Sequence, residues 1–336
     1  MGQVPVRLFV FDVPELKGVI LLKPKTPRVL YHYCSLSTFK AIMDNRSIWL
    51  SDVRRSNDSL ELQWIMGQCQ YYMLNAWVDY ARSVQKERGM EIISSEHFEK
   101  FEDLYRLAKS YDAEDDTKNW VFCLTQKSDD LGQWRGYADD GKGMAIGFNT
   151  ATLKKINFVG DAIRSTSVDF KFNQVHYSKR EVKAFFDNVV GFSKITIDMN
   201  PDDVLQYMKR AVGLSYIFAP LYKSDKFKDE KEWRIIYSMY IGDLENGQLP
   251  GIPNEKNDYS DIFTLEKYAF SQRGNNLVSH LELGLPQMKQ VIHSITIGPT
   301  ASVTPMDIRL YLISIGLLKN VADDSIEIRR STISYR

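Results

Sequence analysis

Charge of one sign is the first thing this chain lacks: across 336 residues, 43 basic side chains meet 43 acidic ones. Without a net field, nucleic-acid binding through bulk electrostatics is excluded, and any such contact needs a local patch. Cysteine is scarce as well. Cys34, Cys69 and Cys123 are odd in number, far apart and never in a C-x-x-C pair, which speaks for reduced, buried thiols rather than a disulfide framework. No run reaches the ~18 apolar residues that span a bilayer. At the N-terminus Val6–Val13 is apolar, but Arg7 and Asp12 interrupt it and no small-residue cleavage site follows. No signal peptide is expected, and the chain reads as cytoplasmic. The histidines at 32, 97, 176, 280 and 293 form no H-x-x-x-H or H-E-x-x-H pair, so no zinc site is expected. A P-loop and a G-x-S-x-G elbow are missing too. "GKGMAIG" is glycine-rich but reads as a turn into a strand, not as a dinucleotide fingerprint.

What is present is an alternation of strands and helices without internal repeat. "VRLFVFD" and "GVILLK" predict a strand pair that prefaces the main fold over residues 1–28. From Leu30 a strand runs to Tyr33, and Ser35 or Ser37 caps a short helix to Asp44. A strand over Ser47–Ser51 follows, then a long helix from about Ser59 to Arg88, stopped by Gly89. Trp64, Tyr71, Tyr72, Ala76 and Tyr80 recur on it at helical spacing and read as its core face. A further helix covers 96–110. Strands are predicted at "WVFCLT", "MAIGFN", "SVDFKFNQVHY", "KEWRIIYSMY", "ITIGP" and "SIEIRRSTISY", and helices at about 178–194, 201–222 and 304–316. The pattern implies an α+β fold with a mixed or antiparallel central sheet and helical insertions, residues 29–336 forming a single domain.

Four polar clusters stand out. In "YHY", period 2 puts Tyr31 and Tyr33 on one strand face and His32 on the other. A lone histidine is more often a hydrogen-bonded core or surface residue than a catalyst. In "SNDSLE", capping explains one of Asn57, Asp58 and Ser59, and Glu61 suits the first helical turn; a part in the site would explain the rest. "QWRGYADDGKG" sets Trp134, Arg135 and Tyr137 between two buried strands. Aromatic faces beside a guanidinium suit a flat anionic ligand; the bland alternative is that the aromatics pin the connection to the core while Arg135 is solvated. In "KFKDEKEWRIIY", Glu232, Arg234 and Ile236 share one strand face and Trp233, Ile235 and Tyr237 the other. Glu232 and Arg234 make either an ion pair or an active-site wall. Asp229-x-Lys231 is a fragment of the D-x-K ending of metal-dependent nucleases.

These segments, together with "ITIGP" and "RRSTISYR", resemble in their order the bacterial domain-of-unknown-function family numbered 2971, over about residues 29–336. Many members carry Lys or Arg where this chain has His32. A more distant likeness is to the ADP-ribosyltransferase fold, with His32, Ser51 and Glu232 in the order of its first-strand, second-strand and late-strand residues. That likeness implies NAD as substrate, with His32 holding the adenosine-side ribose and Glu232 steadying an oxocarbenium-like transition state.

The leading expectation is therefore an NAD-consuming transferase or glycohydrolase, a bacterial toxin or antiphage effector. Glu232 and His32 are its catalytic residues, and Tyr33, Ser51, Asn57, Asp58, Trp134, Arg135, Tyr137 and Arg234 its substrate-binding residues. It requires His32, Trp134, Tyr137, Glu232 and Arg234 to line one concavity on one side of the sheet. Two alternatives stay open. One is a nucleotide- or nucleic-acid-binding module without turnover, using Trp134, Arg135 and Tyr137. The other is a metal-dependent nuclease using Asp58, Glu61, Asp229 and Lys231.

Overall fold

Ten strands hydrogen-bond into one open, mostly antiparallel sheet in the computed structural model, which describes residues 26–55, 61–89, 92–109, 117–156, 168–240, 263–273 and 275–335. The predicted N-terminal strand pair lies outside these residues. In chain order the elements are β1 (Val29–Cys34), α1 (Leu36–Asn45), β2 (Ser47–Asp52), α2 (Glu61–Arg88), α3 (Ser95–Lys109), β3 (Thr117–Thr125), α4 (Leu131–Tyr137), β4 (Met144–Asn149), α5 (Thr150–Leu153), β5 (Val168–Gln174) and α6 (Lys179–Ala184). There follow α7 (Pro201–Phe218), β6 (Glu232–Tyr240), β7 (Thr264–Arg273), β8 (Asn276–Gly284), α8 (Met288–Val291), β9 (Ile292–Ile297), α9 (Pro305–Ser314) and β10 (Glu327–Arg330). The fold is α+β, as the alternation implies.

Local chemistry sets most boundaries. Ser35 accepts from the Thr38 N–H at 3.1 Å and starts α1; Asp130 does the same for α4 through Gln133. Thr304 and Asp307 form a reciprocal capping box with Pro305 at the first helical position of α9. Thr304→Ala is expected to lower stability by about 0.5–2 kcal/mol, the usual loss of a cap, read from denaturant melts of parent and variant.

The sheet forks at β3. β6 pairs along its whole length, from Thr117↔Tyr240 to Thr125↔Glu232. β1 (Tyr31↔Thr125) and β2 (Ser51↔Val121) must therefore share the other edge. One branch continues β1-β4-β9-β10 and the other β2-β8-β7. Directly paired residues put their side chains on the same face. One face thus carries Tyr31, Tyr33, Thr125, Cys123, Val121, Glu232, Arg234 and Ile236. The other carries His32 with Trp120, Phe122, Leu124, Trp233, Ile235 and Tyr237.

Each face has its own core. Phe39, Ile42 and Met43 of α1 and Ile308 and Leu312 of α9 cover the Phe122 face. The face with Val121 and Ile236 receives α2, α3 and α7. At its β1 end that same face is covered by α4, in a small cluster of Tyr33, Trp134, Ala138 and Ala145 joined by Tyr31 and Ile333.

Several expectations shift. The buried stripe of α2 is Ile65, Cys69, Met73, Trp77, Tyr80 and Val84, while Tyr71 is exposed and Trp64, Tyr72 and Ala76 are half-buried. Aromatic size suggested a stripe about one position away from the real one. The β7–β8 pair, joined through Arg273↔Asn276, escaped the strand pattern altogether, although its alternation was there to read. The last strand ends at Arg330: the Ser331 N–H still donates to the Ile297 carbonyl at 2.8 Å, but the Ser331 hydroxyl and the Thr332 N–H and hydroxyl turn to Asp129. Among the described residues no helix is long and apolar enough to cross a membrane. All three cysteines are free, and burial pushes the Cys34 and Cys69 thiols up to about 12, so neither ionises at neutral pH.

Candidate functional site: a buried ionic cluster beneath a short helix

Where β6 begins, the period-2 rule aims Glu232 and Arg234 together under α4. The Arg234 guanidinium grips the carboxylate in a fork, Nε to Oε1 at 2.8 Å and Nη2 to Oε2 at 2.9 Å. A third donor, Nη1, holds the Pro220 carbonyl at 2.8 Å. Lys223 reaches Glu232 at 3.4 Å and Glu230 at 2.8 Å, with its ammonium 4.7 Å from the Phe227 ring centroid. The Tyr137 hydroxyl donates to the second Glu230 oxygen at 2.8 Å, and Tyr177 accepts from the Glu232 N–H. Arg234 is 1% exposed, Lys223 5% and Glu232 6%.

Two cations and two carboxylates cancel formally, as burial at this depth demands. Burial pushes the Glu232 carboxyl up, but Arg234, Lys223 and a Cys123 thiol hydrogen bond outweigh it and hold it below the usual carboxylate range. Burial and the neighbouring carboxylates push the Tyr137 and Tyr177 phenols up, so both remain neutral. With both oxygens of Glu232 engaged, it is an anchored charge.

The residues expected at one site are divided by the sheet. Tyr33, Trp134, Tyr137, Glu232 and Arg234 share a face. His32 lies across the sheet from them, stacked on Phe122 at 4.2 Å with its Nδ1 on the Cys123 carbonyl at 2.9 Å. The expected single concavity with His32 and Glu232 does not form. The reason is register: Tyr31, not His32, is opposite Thr125.

Trp134 is fully buried and spends its indole N–H on Asp129 at 2.7 Å. It pins α4 to the sheet edge-on to Tyr33, centroids 4.7 Å apart, and offers no open face for stacking. Tyr33 is likewise engaged, donating to the Lys127 carbonyl and accepting from the Asp130 N–H. Arg135 is exposed, 3.9 Å from Asp140, and Tyr137 is partly exposed. Ser51 sits on the other branch of the fork, opposite Val121 and His280. Asn57 and Asp58 lie outside the described residues, so the long helix's expected cap does too. Asp229 and Lys231 flank an exposed turn before β6. Among the described residues no group of three His, Cys, Asp or Glu side chains is placed to hold a metal ion.

Sequence reading missed Lys223, Glu230 and Tyr177. Glu230 had a signal, its two-residue spacing from Glu232. Lys223 had none, because a lysine that ends up buried looks like any other in a charged stretch.

Burial lowers the His32 pKa from 6.5 to about 4, against a smaller raising effect of its bond to Cys123. The unfolded imidazole therefore takes up a proton that the folded one refuses. Stability from this group is complete above the ordinary histidine range and is lost as pH falls through that window. His32→Phe keeps a ring on Phe122 and is expected to flatten the pH dependence of the melting temperature between about 6.5 and 4. A parent-like slope in the variant would show that other groups set it.

No curated protein and no solved structure matches the chain, so no comparison extends the likeness to the ADP-ribosyltransferase fold. One family does match, over a narrower span than the motifs suggested. From α4 to the start of β6, the stretch that holds Trp134, Tyr137, Lys223, Glu230, Glu232 and Arg234, residues 133–235 match the family described as protein of unknown function (DUF2971).

Proposed function

We propose that the chain is a nucleotide-binding module, its site at the rim where the Tyr137 hydroxyl of α4 and the Lys223 ammonium meet on Glu230. The observation that carries this reading is the partly exposed Tyr137 ring, whose hydroxyl bonds the same Glu230 carboxylate that a nearly buried lysine holds. A π-face and a cation meeting on one carboxylate is the chemistry that a base and its phosphate need. Two placements weigh against NAD turnover: the sheet stands between His32 and Glu232, and both Glu232 oxygens are already bound. The balanced charge of the chain favours a free nucleotide over a polyanion,. A cytoplasmic setting, where thiols stay reduced, belongs to the same proposal.

Titration calorimetry with ATP, ADP and NAD, run beside a nicotinamide-release assay, tests it. Saturable binding without released nicotinamide is expected. Tyr137→Ala is expected to weaken binding roughly tenfold, since stacking on an aromatic contributes about 1–3 kcal/mol. Absence of binding to all three nucleotides overturns the proposal, and nicotinamide release restores the transferase in its place.

A further inference from the structure

Among the four charged groups of the cluster, Glu230 differs from the rest. Glu232 is fixed by the Arg234 fork, and Arg234 and Lys223 are almost wholly buried. The Glu230 side chain is 21% exposed. It stands on no strand or α-helix but at the end of a 3-10 turn, Asp225–Glu230. The following residue, Lys231, is a non-glycine in the left-handed region at φ 46°, a conformation that side chains adopt reluctantly. The backbone is tied down nonetheless: the Glu230 carbonyl accepts from Thr125 Oγ1 at 2.6 Å, and the Lys231 carbonyl accepts from the Gln126 N–H at 3.3 Å. Side-chain rotation alone can therefore withdraw the carboxylate without moving the loop.

What the carboxylate occupies is informative. The Lys223 ammonium and the Tyr137 hydroxyl converge on it from two parts of the chain, each at 2.8 Å. A cation and a neutral donor meeting on one pair of oxygens make a receptor for an anionic oxygen group. Withdrawing Glu230 takes one of the two carboxylates from the cluster and leaves the Lys223 ammonium and the Tyr137 hydroxyl aimed at the position it held. We infer that Glu230 is the specificity-determining residue of this site, an internal carboxylate seated where a nucleotide phosphate binds, so that only a ligand that displaces it is held. The inference rests on the nucleotide-binding reading. Inorganic phosphate lacks a base to stack on Tyr137 and is excluded by the resident carboxylate, whereas a nucleotide adds stacking and competes.

Glu230→Gln tests this, with calorimetric titration of ATP and of inorganic pyrophosphate at low ionic strength. Gln keeps the volume and an acceptor oxygen but removes the competing charge. The variant is expected to bind ATP at least tenfold more tightly than the parent, and to bind pyrophosphate measurably where the parent does not. Lys223→Met in the same background is expected to abolish the gain. If the parent binds ATP and Glu230→Gln binds it equally or more weakly, Glu230 is no gate, and the nucleotide-binding reading survives without it. If neither protein binds ATP or pyrophosphate, both fall. Should Glu230→Gln lose the parent's cooperative melt, Glu230→Asp replaces it. One methylene shorter, Asp cannot reach both donors, so tighter ATP binding is again expected, and unchanged or weaker binding overturns the inference.

Discussion

Glu232→Gln is expected to destabilise the protein by about 3 kcal/mol or more, because breaking a buried ion pair from one side strands the other charge. Arg234 is 1% exposed. Its fork is built around two carboxylate oxygens, and an amide supplies only one acceptor while adding a donor that faces other donors. The pH dependence carries the same signature. The folded-state pKa of Glu232 is depressed, so its contribution is complete above the ordinary glutamate range. It is lost as pH falls below that range, where the unfolded carboxyl takes a proton first. Urea melts at pH 7 and pH 3 should show that loss in the parent and a smaller one in the variant. The double substitution Glu232→Leu with Arg234→Met should recover much of the stability, since an apolar pair of similar size avoids the desolvation of both charges. If Glu232→Gln melts like the parent, the cluster is not what holds β6 under α4.

Gly298→Ala is expected to do more damage still. A Cβ built there lies 2.1 Å from the Gly141 carbonyl oxygen and 2.8 Å from that of Gly143, both of them backbone. The contact cannot relax by rotating a side chain, because the Gly298 N–H already donates to the Gly143 carbonyl at 2.9 Å and Thr300 to that of Gly141 at 3.1 Å. Either the β9 end leaves the turn after α4 or the hydrogen bonds break. A loss above about 4 kcal/mol, the range reserved for such core failures, would leave little folded protein by circular dichroism. Gly67 in α2 is the control. Open space surrounds its Cβ position, and Gly67→Ala should raise stability by about 0.5–1 kcal/mol through helix propensity and reduced chain entropy. Equal melting temperatures for the two variants would show that the approach of β9 to the α4 turn is not tight.

The motifs that drew attention in the sequence turn out to be joints more than a catalytic set. "GKG" and the glycine of "ITIGP" let two backbones touch, and Trp134, Asp129 and the Ser331–Thr332 tail tie α4 to the C-terminus. Their residue types are constrained by contacts between parts of the chain far apart in sequence. That makes them conspicuous for structural reasons, and nothing in a one-dimensional pattern separates such a joint from a binding wall.

By itself the sequence determined what depends on neighbours a few residues away. Strand alternation put Glu232 and Arg234 on the face opposite Trp233, Ile235 and Tyr237, Gly89 ended α2, and capping residues placed the starts of α1 and α9. Only the tertiary structure decided how the strand faces combine. Alternation fixes faces within a strand, whereas the facing of β1 against β6 passes through two registers, Tyr31↔Thr125 and Thr125↔Glu232. A slip of one residue in either would have brought His32 beside Glu232. The long-range hydrogen bonds of β3 chose the tyrosines instead. They sent His32 to the opposite face, and the fold then buried Lys223 beside the carboxylates that make its charge tolerable,.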